Sequence, residues 1–174
     1  MDFIELVKAR YSCRSFLEKP VEKEKIDLIL EAARLAPTAC NFQPQRILVI
    51  TDKEKINNLK ECTPYTFNAP VILAICYDKD VSWKRKYDGK DEGVIDAGIV
   101  ITHMMLQITE LGLASTIVGA FEPTKAREIL DIPENYALEN LLPFGYPAPD
   151  GTPSPKHFDR KNIEEIVYWN KFTK

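Results

Sequence analysis

The chain contains 174 residues, of which 45% are hydrophobic and 28% are charged, so it is long enough and apolar enough to fold around one core. It has 23 Lys and Arg residues against 26 Asp and Glu residues, a formal net charge of −3 at pH 7. This balance excludes a disordered polyelectrolyte and provides no overall positive field for nucleic acid or an anionic membrane. We therefore expect one domain over residues 1–174, with neither nucleic acid nor membrane as a partner.

The N-terminus and the cysteines favour a cytoplasmic protein. The first ten residues, MDFIELVKAR, lack the continuous apolar stretch of a secretory signal. The longest apolar region, 94–113, is interrupted by polar residues that are costly in lipid, among them Asp96, His103 and Glu110. The four cysteines include no CxxC pair and lie far from both histidines in sequence, so no metal site is expected.

Local patterns predict helices and strands in the first half of the chain. Asp2 can cap a first helix. The buried face of this helix is expected to contain Phe3, Leu6 and Val7. A second helix, about 22–35, cannot continue through Pro37. A β-branched strand, 46–50, precedes a helix that Asp52 caps.

The middle of the chain is the most apolar part. Residues 69–77 form a nearly continuous apolar run, which is typical of a central strand buried on both faces. The polar segment 81–93 is long for a connection and is predicted to be a mobile lid. Helix 94–111 is apolar almost all round and should be enclosed. Its Asp96 and His103 are interpreted as a helix-start residue and a core histidine.

The C-terminal third is predicted to contain two strands, 114–118 and 138–146, around a short helix, 123–130, that Pro123 begins. The last stretch, 163–172, is rich in apolar and aromatic residues. Such a segment needs a surface to cover it.

Common catalytic motifs are absent from the sequence. It contains neither GxGxxG nor GxxxxGK[ST], and it contains neither GxSxG nor HExxH. These absences argue against a Rossmann site, a P-loop and nucleophilic or zinc catalysis by the protein itself.

Two segments contain residues suited to a bound ligand. In the first, Arg10 and Arg14 flank Ser12, and two guanidinium groups with a hydroxyl can hold one phosphate. Alternatively, Arg10 only complements a helix dipole and a capped turn follows it. In the second, 36–44, small residues and amides lie between prolines and allow a flat ligand to approach the backbone. This segment could also be an ordinary turn.

In this order, the two segments resemble the nitroreductase family of FMN-dependent oxidoreductases. An R-x-S-x-R-x-F pattern is matched by Arg10, Ser12, Arg14 and Phe16. A P-[ST]-x-x-N-x-Q-P pattern is matched by Pro37, Thr38, Asn41, Gln43 and Pro44. Similar sequences follow at 96–98, 111–113, 119–121, 144–147 and 160–167.

The resemblance implies an α+β fold, a three-layer α-β-α sandwich around a mixed, mainly antiparallel sheet. It also implies a homodimer with exchanged termini, in which the tail, about 161–174, packs on the partner subunit, and with two FMN sites at the interface. On one subunit, the residues expected at the cofactor are Arg10, Tyr11, Ser12, Arg14, Val118, Gly119 and Arg160. On the other subunit, they are Pro37, Thr38, Ala39 and Asn41.

The activity implied is hydride transfer from NAD(P)H through flavin N5 to an electron-poor acceptor, such as a nitroaromatic or a quinone, with ping-pong kinetics. The backbone amide of Gly119 is the expected hydrogen-bond donor to N5, and the cofactor carries the chemistry. FMN brings a phosphate charge of about −1.5 to −2, for which an acidic protein must collect local cations.

Three residues depart from the family pattern and keep alternatives open, namely Tyr11, Gln45 and Val118. One alternative is a specialised flavoenzyme of the same fold, acting in enone reduction, dehalogenation or flavin breakdown. Another is a non-catalytic FMN-binding or sensor protein. A third is an interaction domain without flavin.

Overall fold

The computed structural model describes residues 1–172 and shows helices packed on a β-sheet, the α+β class that the motifs predict. The helices are α1 (Phe3–Ala9), α2 (Lys23–Leu35), α3 (Lys53–Asn58), α4 (Gly93–Glu110) and α5 (Pro123–Ile129). The strands are β1 (Gln45–Ile50), β2 (Val71–Asp78), β3 (Ala114–Ser115) and β4 (Tyr136–Gly145). Among these residues, no helix is long and apolar enough to cross a bilayer.

The sheet has the strand order β1-β2-β4-β3, and each pair of neighbouring strands is antiparallel. All eight residues of β2 are buried, as its apolar run predicts. The sheet was predicted to contain both parallel and antiparallel pairs. In the described residues, parallel pairing is limited to one isolated bridge, between Ser12 and Ser115. The mainly antiparallel sheet is therefore confirmed.

Helices cover both faces of the sheet and produce three layers. On one face, α2 and α4 pack against β2 and β4, with Ile29, Met104, Leu73 and Phe144 in the core. On the other face, α3 and α5 form a second cluster around Ile56, Ala126, Ile72 and Leu141. Alternate residues of β2 point to opposite faces, so one strand supplies both clusters.

The helix boundaries follow the predicted signals. The Asp52 side chain accepts a hydrogen bond from the Lys55 N–H at 2.9 Å and caps α3. Pro123 occupies the first turn of α5, where its missing N–H costs no helical hydrogen bond. At the end of α2, Ala36 is already extended, as the following proline requires.

Two predictions about burial are wrong for the single chain. Helix α4 is not enclosed, because Val94 and Ile95 are about half exposed, at 51% and 50%. Helix α1 has no buried residue, and its apolar residues Phe3 and Val7 are exposed. An apolar sequence shows that a face avoids water, but not whether its own chain or a second chain covers it.

One local structure differs from prediction, and the predicted lid has a defined local structure. The strand predicted at 114–118 is reduced to two residues, followed by a separate bridge between Val118 and Leu141. The predicted lid, 81–93, contains a hydrogen-bonded hairpin, closed by the bridge between Lys84 and Asp91. Backbone hydrogen bonds and ion pairs within this segment stabilise the hairpin.

Tyr146 joins the end of β4 to the beginning of α2. Its hydroxyl lies 2.7 Å from a Glu22 carboxylate oxygen and 2.9 Å from Lys25 Nζ. The ammonium of Lys19 lies 3.8 Å from the centre of the ring, in a cation–π contact. These groups connect two parts of the fold that are distant in sequence.

We expect Tyr146→Phe to lower the free energy of unfolding by about 1 kcal/mol, because it removes a hydroxyl bonded to two charged groups. Urea denaturation at matched protein concentrations measures the change. Tyr87→Phe is the control, since Tyr87 is 94% exposed. Equal unfolding free energies for the two variants would show that the Tyr146 hydroxyl contributes nothing.

Candidate functional site

The first half of the candidate site is the outer edge of β3, on the side away from β4. Ser12 forms the parallel bridge with Ser115, and the Cys13 N–H donates to the Ser115 carbonyl at 3.0 Å. Further along the chain, Val118 and Leu141 exchange two hydrogen bonds of 2.8 and 3.0 Å. Segment 10–14 therefore runs beside an edge that continues towards Gly119.

Gly119 follows directly after the bridge between Val118 and Leu141. Because consecutive residues of a strand direct their amides to opposite edges, the pairing of Val118 with β4 turns the next amide outwards. Within residues 1–172, the Gly119 N–H has no hydrogen-bond acceptor. Ser115 and Gly119 are four residues apart, which corresponds to roughly 13 Å of extended chain. A free donor and segment 10–14 thus lie along one edge.

Three arginines were predicted to hold the anion, namely Arg10 and Arg14 in the segment beside this edge and Arg160 near the C-terminus. The segment containing Arg160 docks on the end of α1, where His157 Nε2 lies 3.2 Å from the Lys8 carbonyl oxygen. The pKa of Arg10 is lowered first by burial and then by the positive charge of Arg160. The Arg14 guanidinium, which is exposed, donates to the Ser12 carbonyl at 3.3 Å.

None of these three arginines forms a salt bridge with a carboxylate in the described part of the chain. By contrast, Arg34, Arg46 and Arg85 are each paired with an acidic side chain. In an acidic protein, a group of like charges without counter-charges favours binding of an anion. The charge of Arg160 thus acts on Arg10 from the opposite end of the chain, and a shared anion site remains what the resemblance implies.

Two other predicted residues use their side chains internally. The Tyr11 hydroxyl donates to the Gly151 carbonyl at 2.7 Å, and the pKa of Tyr11 is raised to about 12, first by burial and then by Cys13. The Val118 side chain is buried in the core. Both side chains are thus engaged away from the open edge.

Ser115 is a polar residue at this edge that the sequence analysis missed. Its hydroxyl oxygen is buried and has no hydrogen-bond partner among residues 1–172. No local pattern signals this, because a serine in a short apolar strand has no distinctive spacing. Its unsatisfied hydroxyl becomes evident only when segment 10–14 is placed beside β3.

The second half of the candidate site is the loop after α2. Pro37, Cys40 and Asn41 are exposed, while Thr38 and Ala39 are half-buried. The Gln43 N–H donates to Thr38 Oγ1 at 3.0 Å, and the Ala39 N–H donates to Asp96 Oδ1 at 2.9 Å. The loop thus presents small and amide-bearing residues on one exposed side.

The sheet keeps the two halves apart within one chain. Ser115 pairs with Phe144 at one end of β4. Gln45, which follows the loop, pairs with Tyr77 of β2, and Tyr77 pairs with Ala137 near the other end of β4. These positions are seven residues apart along β4, or roughly 23 Å along the sheet. Strands β1 and β3 are also opposite edges of the sheet, about 14 Å apart across three strand spacings. One chain therefore does not bring the loop and the arginines into a single pocket.

Known proteins share this sequence and fold. The family model "Nitroreductase family" matches residues 7–64 and 60–146. A crystal structure of a nitroreductase family protein from Clostridium difficile 630 is 44% identical, with a TM-score of 0.93, and the match covers 99% of this chain and 100% of that one. An FMN-dependent nitroreductase from Clostridium difficile R20291 is 29% identical, with a TM-score of 0.82, over 98% of this chain and 100% of that one.

A curated relative is FMN reductase (NAD(P)H) from Bacillus subtilis, which is 30% identical over 83% of this chain and 66% of its own length. The family model covers well over half of the chain, and the fold agrees closely with solved members. The chain belongs to the nitroreductase family. The family and the oxidoreductase class that the motifs predict are therefore confirmed.

The anion site can be tested in the protein without any cofactor, because three of its arginines form no salt bridge in the described chain. We expect Arg160→Gln to leave thermal stability unchanged or slightly higher, because it removes a positive charge that repels Arg10. The same change should weaken binding of inorganic phosphate about tenfold, through loss of one charge-assisted contact. The phosphate-dependent shift of the unfolding temperature measures both effects.

Lys161→Gln is the matched control, since it removes the neighbouring positive charge from an exposed residue. Undiminished phosphate binding by the Arg160→Gln protein would contradict the assignment of Arg160 to an anion site.

Proposed function

We propose that this protein is an NAD(P)H-dependent flavin oxidoreductase that holds FMN along the outer edge of β3. The proposal rests on two features: arginines that form no salt bridge, and a Gly119 N–H that has no acceptor in the described chain. FMN has a matching arrangement, with an anionic phosphate at one end and a ring nitrogen that accepts hydrogen bonds at the other. The names of the relatives, FMN reductase and FMN-dependent nitroreductase, support this choice of cofactor.

The phosphate end would be held by Arg10, Ser12, Arg14 and Arg160. A phosphomonoester carries about −1.5 to −2 charges at neutral pH, and it would relieve the repulsion between Arg10 and Arg160. Each charge-assisted hydrogen bond contributes about 1.5–3 kcal/mol. The unsatisfied positive charge of the chain thus fits this group.

We further propose that the active form is a homodimer. The described chain exposes apolar residues on α1, on α4 and in the tail, among them Phe3, Ile95, Ile166, Trp169 and Phe172. Such a quantity of exposed apolar surface is typical of an interface. The partner's copy of the loop would then supply Pro37, Thr38, Ala39 and Asn41, which cannot reach the β3 edge of their own chain.

Bound FMN would supply the redox chemistry, accepting hydride from NAD(P)H and reducing an electron-poor acceptor such as a nitroaromatic or a quinone. The chain's own contributions are binding and orientation. The arginines fix one end of the cofactor, the loop limits access to the ring, and the Gly119 N–H donates a hydrogen bond. If both substrates use the same open face in turn, the kinetics are ping-pong.

We also propose that residues 1–174 form one domain, as the chain length predicts, and that the protein acts in the cytoplasm. The four cysteines support the second point, because those of the described chain are all free thiols.

An absorbance spectrum before and after anaerobic addition of NADH or NADPH tests this function. We expect the protein to bind added FMN, the flavin band to bleach with a nicotinamide donor, and the band to return with a quinone. A protein that ignores FMN would contradict the proposal. A flavoprotein that neither donor reduces would instead be a non-catalytic binder.

Two substitutions at one position sharpen this test. Gly119→Pro removes the N–H donor and should slow flavin reduction by roughly 10²-fold. Gly119→Ala retains the donor, and its Cβ would lie 3.4 Å from Asn140 Nδ2, an acceptable contact. Equal reduction rates for the two variants would exclude a role for this amide.

A further inference from the structure

Asp96 is a buried acidic residue that the proposed function does not use. It lies in the first turn of α4 and is only 2% exposed. Its Oδ1 atom accepts the hydrogen bond of 2.9 Å from the Ala39 N–H, in the loop that follows α2. The contact therefore joins the start of the central helix to the middle of the second half-site.

The loop that Asp96 contacts has a strained backbone. Cys40, Asn41 and Gln43 have φ angles of 50°, 55° and 51°, in the left-handed region that disfavours residues with a Cβ. A backbone of this kind persists only where surrounding contacts hold it. The Asp96 tether is attached at Ala39, directly before the first of these strained residues.

The environment of Asp96 does not favour a carboxylate. The second oxygen, Oδ2, is buried without a hydrogen-bond partner in the described chain. Burial raises the pKa of Asp96, the Ala39 hydrogen bond lowers it, and the negative charges of Glu92 and Asp91 raise it further. Because the folded-state pKa is raised, the ionised group destabilises the fold at any pH above that value. Stability alone therefore does not account for an acid at this position.

The hydrogen bond between Asp96 and Ala39 leaves the solvent-facing side of the loop accessible. Ala39 is held from the buried side, while Pro37, Cys40 and Asn41 stay exposed. A small displacement of Ala39 would change the direction of all three. The hydrogen bond to Asp96 of α4 therefore fixes the start of the loop, while bonds at Gln43 hold its end.

We propose that Asp96 is a positioning residue for the flavin reaction, whose Oδ1 holds the 38–43 loop in the shape that contacts FMN bound to the partner subunit. This inference rests on the proposed function, because the cofactor is FMN and the loop acts across the dimer. Asp96 itself does not touch the cofactor.

Asp96→Ala removes the acceptor, and Asp96→Asn keeps an acceptor oxygen of the same shape without the charge. We expect Asp96→Ala to weaken FMN binding about tenfold, through loss of loop order, and Asp96→Asn to restore it to within about twofold. At neutral pH, the Asp96→Asn protein should be at least as stable to heat as the wild type. Fluorescence titration with FMN and thermal unfolding measure these effects.

Binding of inorganic phosphate separates positioning from a general structural defect. Phosphate needs only the arginines and Ser12, and not the loop, so its affinity should be unchanged in Asp96→Ala while FMN affinity falls. Glu92→Gln, which removes a charge from the same helix end without touching the loop, should leave both affinities unchanged. Ala39→Pro deletes the N–H partner instead, and it should reproduce the loss if Asp96→Ala fails to fold.

The two proposals fail differently. If the wild-type protein does not bind FMN, the proposed function is wrong. If the wild type binds FMN and either Asp96→Ala or Ala39→Pro binds it equally well, the tether is irrelevant and the role of Asp96 is wrong. Parallel loss of phosphate and FMN binding in Asp96→Ala would also overturn it, since the residue would then support the fold as a whole.

Discussion

The register of the antiparallel sheet is the constraint on which the candidate site depends. It fixes the arginine edge at β3 and the loop before β1 at opposite edges and opposite ends of the sheet. Neither half forms a complete site, because the first holds charge without a wall for a planar ring and the second holds small residues without an anion site. The apolar surfaces of α1, α4 and the tail are exposed in the same chain. A second copy would remove both deficiencies, covering the apolar residues while it places its loop against the arginine edge.

Much of the fold could be predicted because the determining signals are local. The apolar run at 69–77 identified the central strand, Asp52 marked a helix start, and Pro37 limited α2. The close approach of Arg10 and Arg160 could not be derived from spacing, because 149 intervening residues separate them. The family resemblance implies that pairing, which stays a prediction.

The wrong predictions about burial share a physical cause, since each concerns a contact that lies outside the local sequence. The apolar residues of α4 show that the helix avoids water. They do not show whether its own core or a partner covers each of its faces. The polar composition of 81–93 did not reveal the ion pairs and backbone bonds that close a hairpin there, and its role as a mobile lid stays a prediction. Asp96 matched a helix start, and only the folded chain shows that its carboxylate reaches Ala39.

Mixing of two defective variants tests the composite site most directly. Arg14→Ala damages the arginine edge and Asn41→Ala damages the loop, so each variant alone should bind FMN weakly at both of its sites. After exchange of subunits, a mixed dimer should contain one site damaged twice and one site that is intact. By random association, about one site in four should then regain wild-type FMN affinity. If titration of the exchanged mixture shows no tight sites, the arginines and the loop do not meet across two subunits, and the account of this protein is wrong.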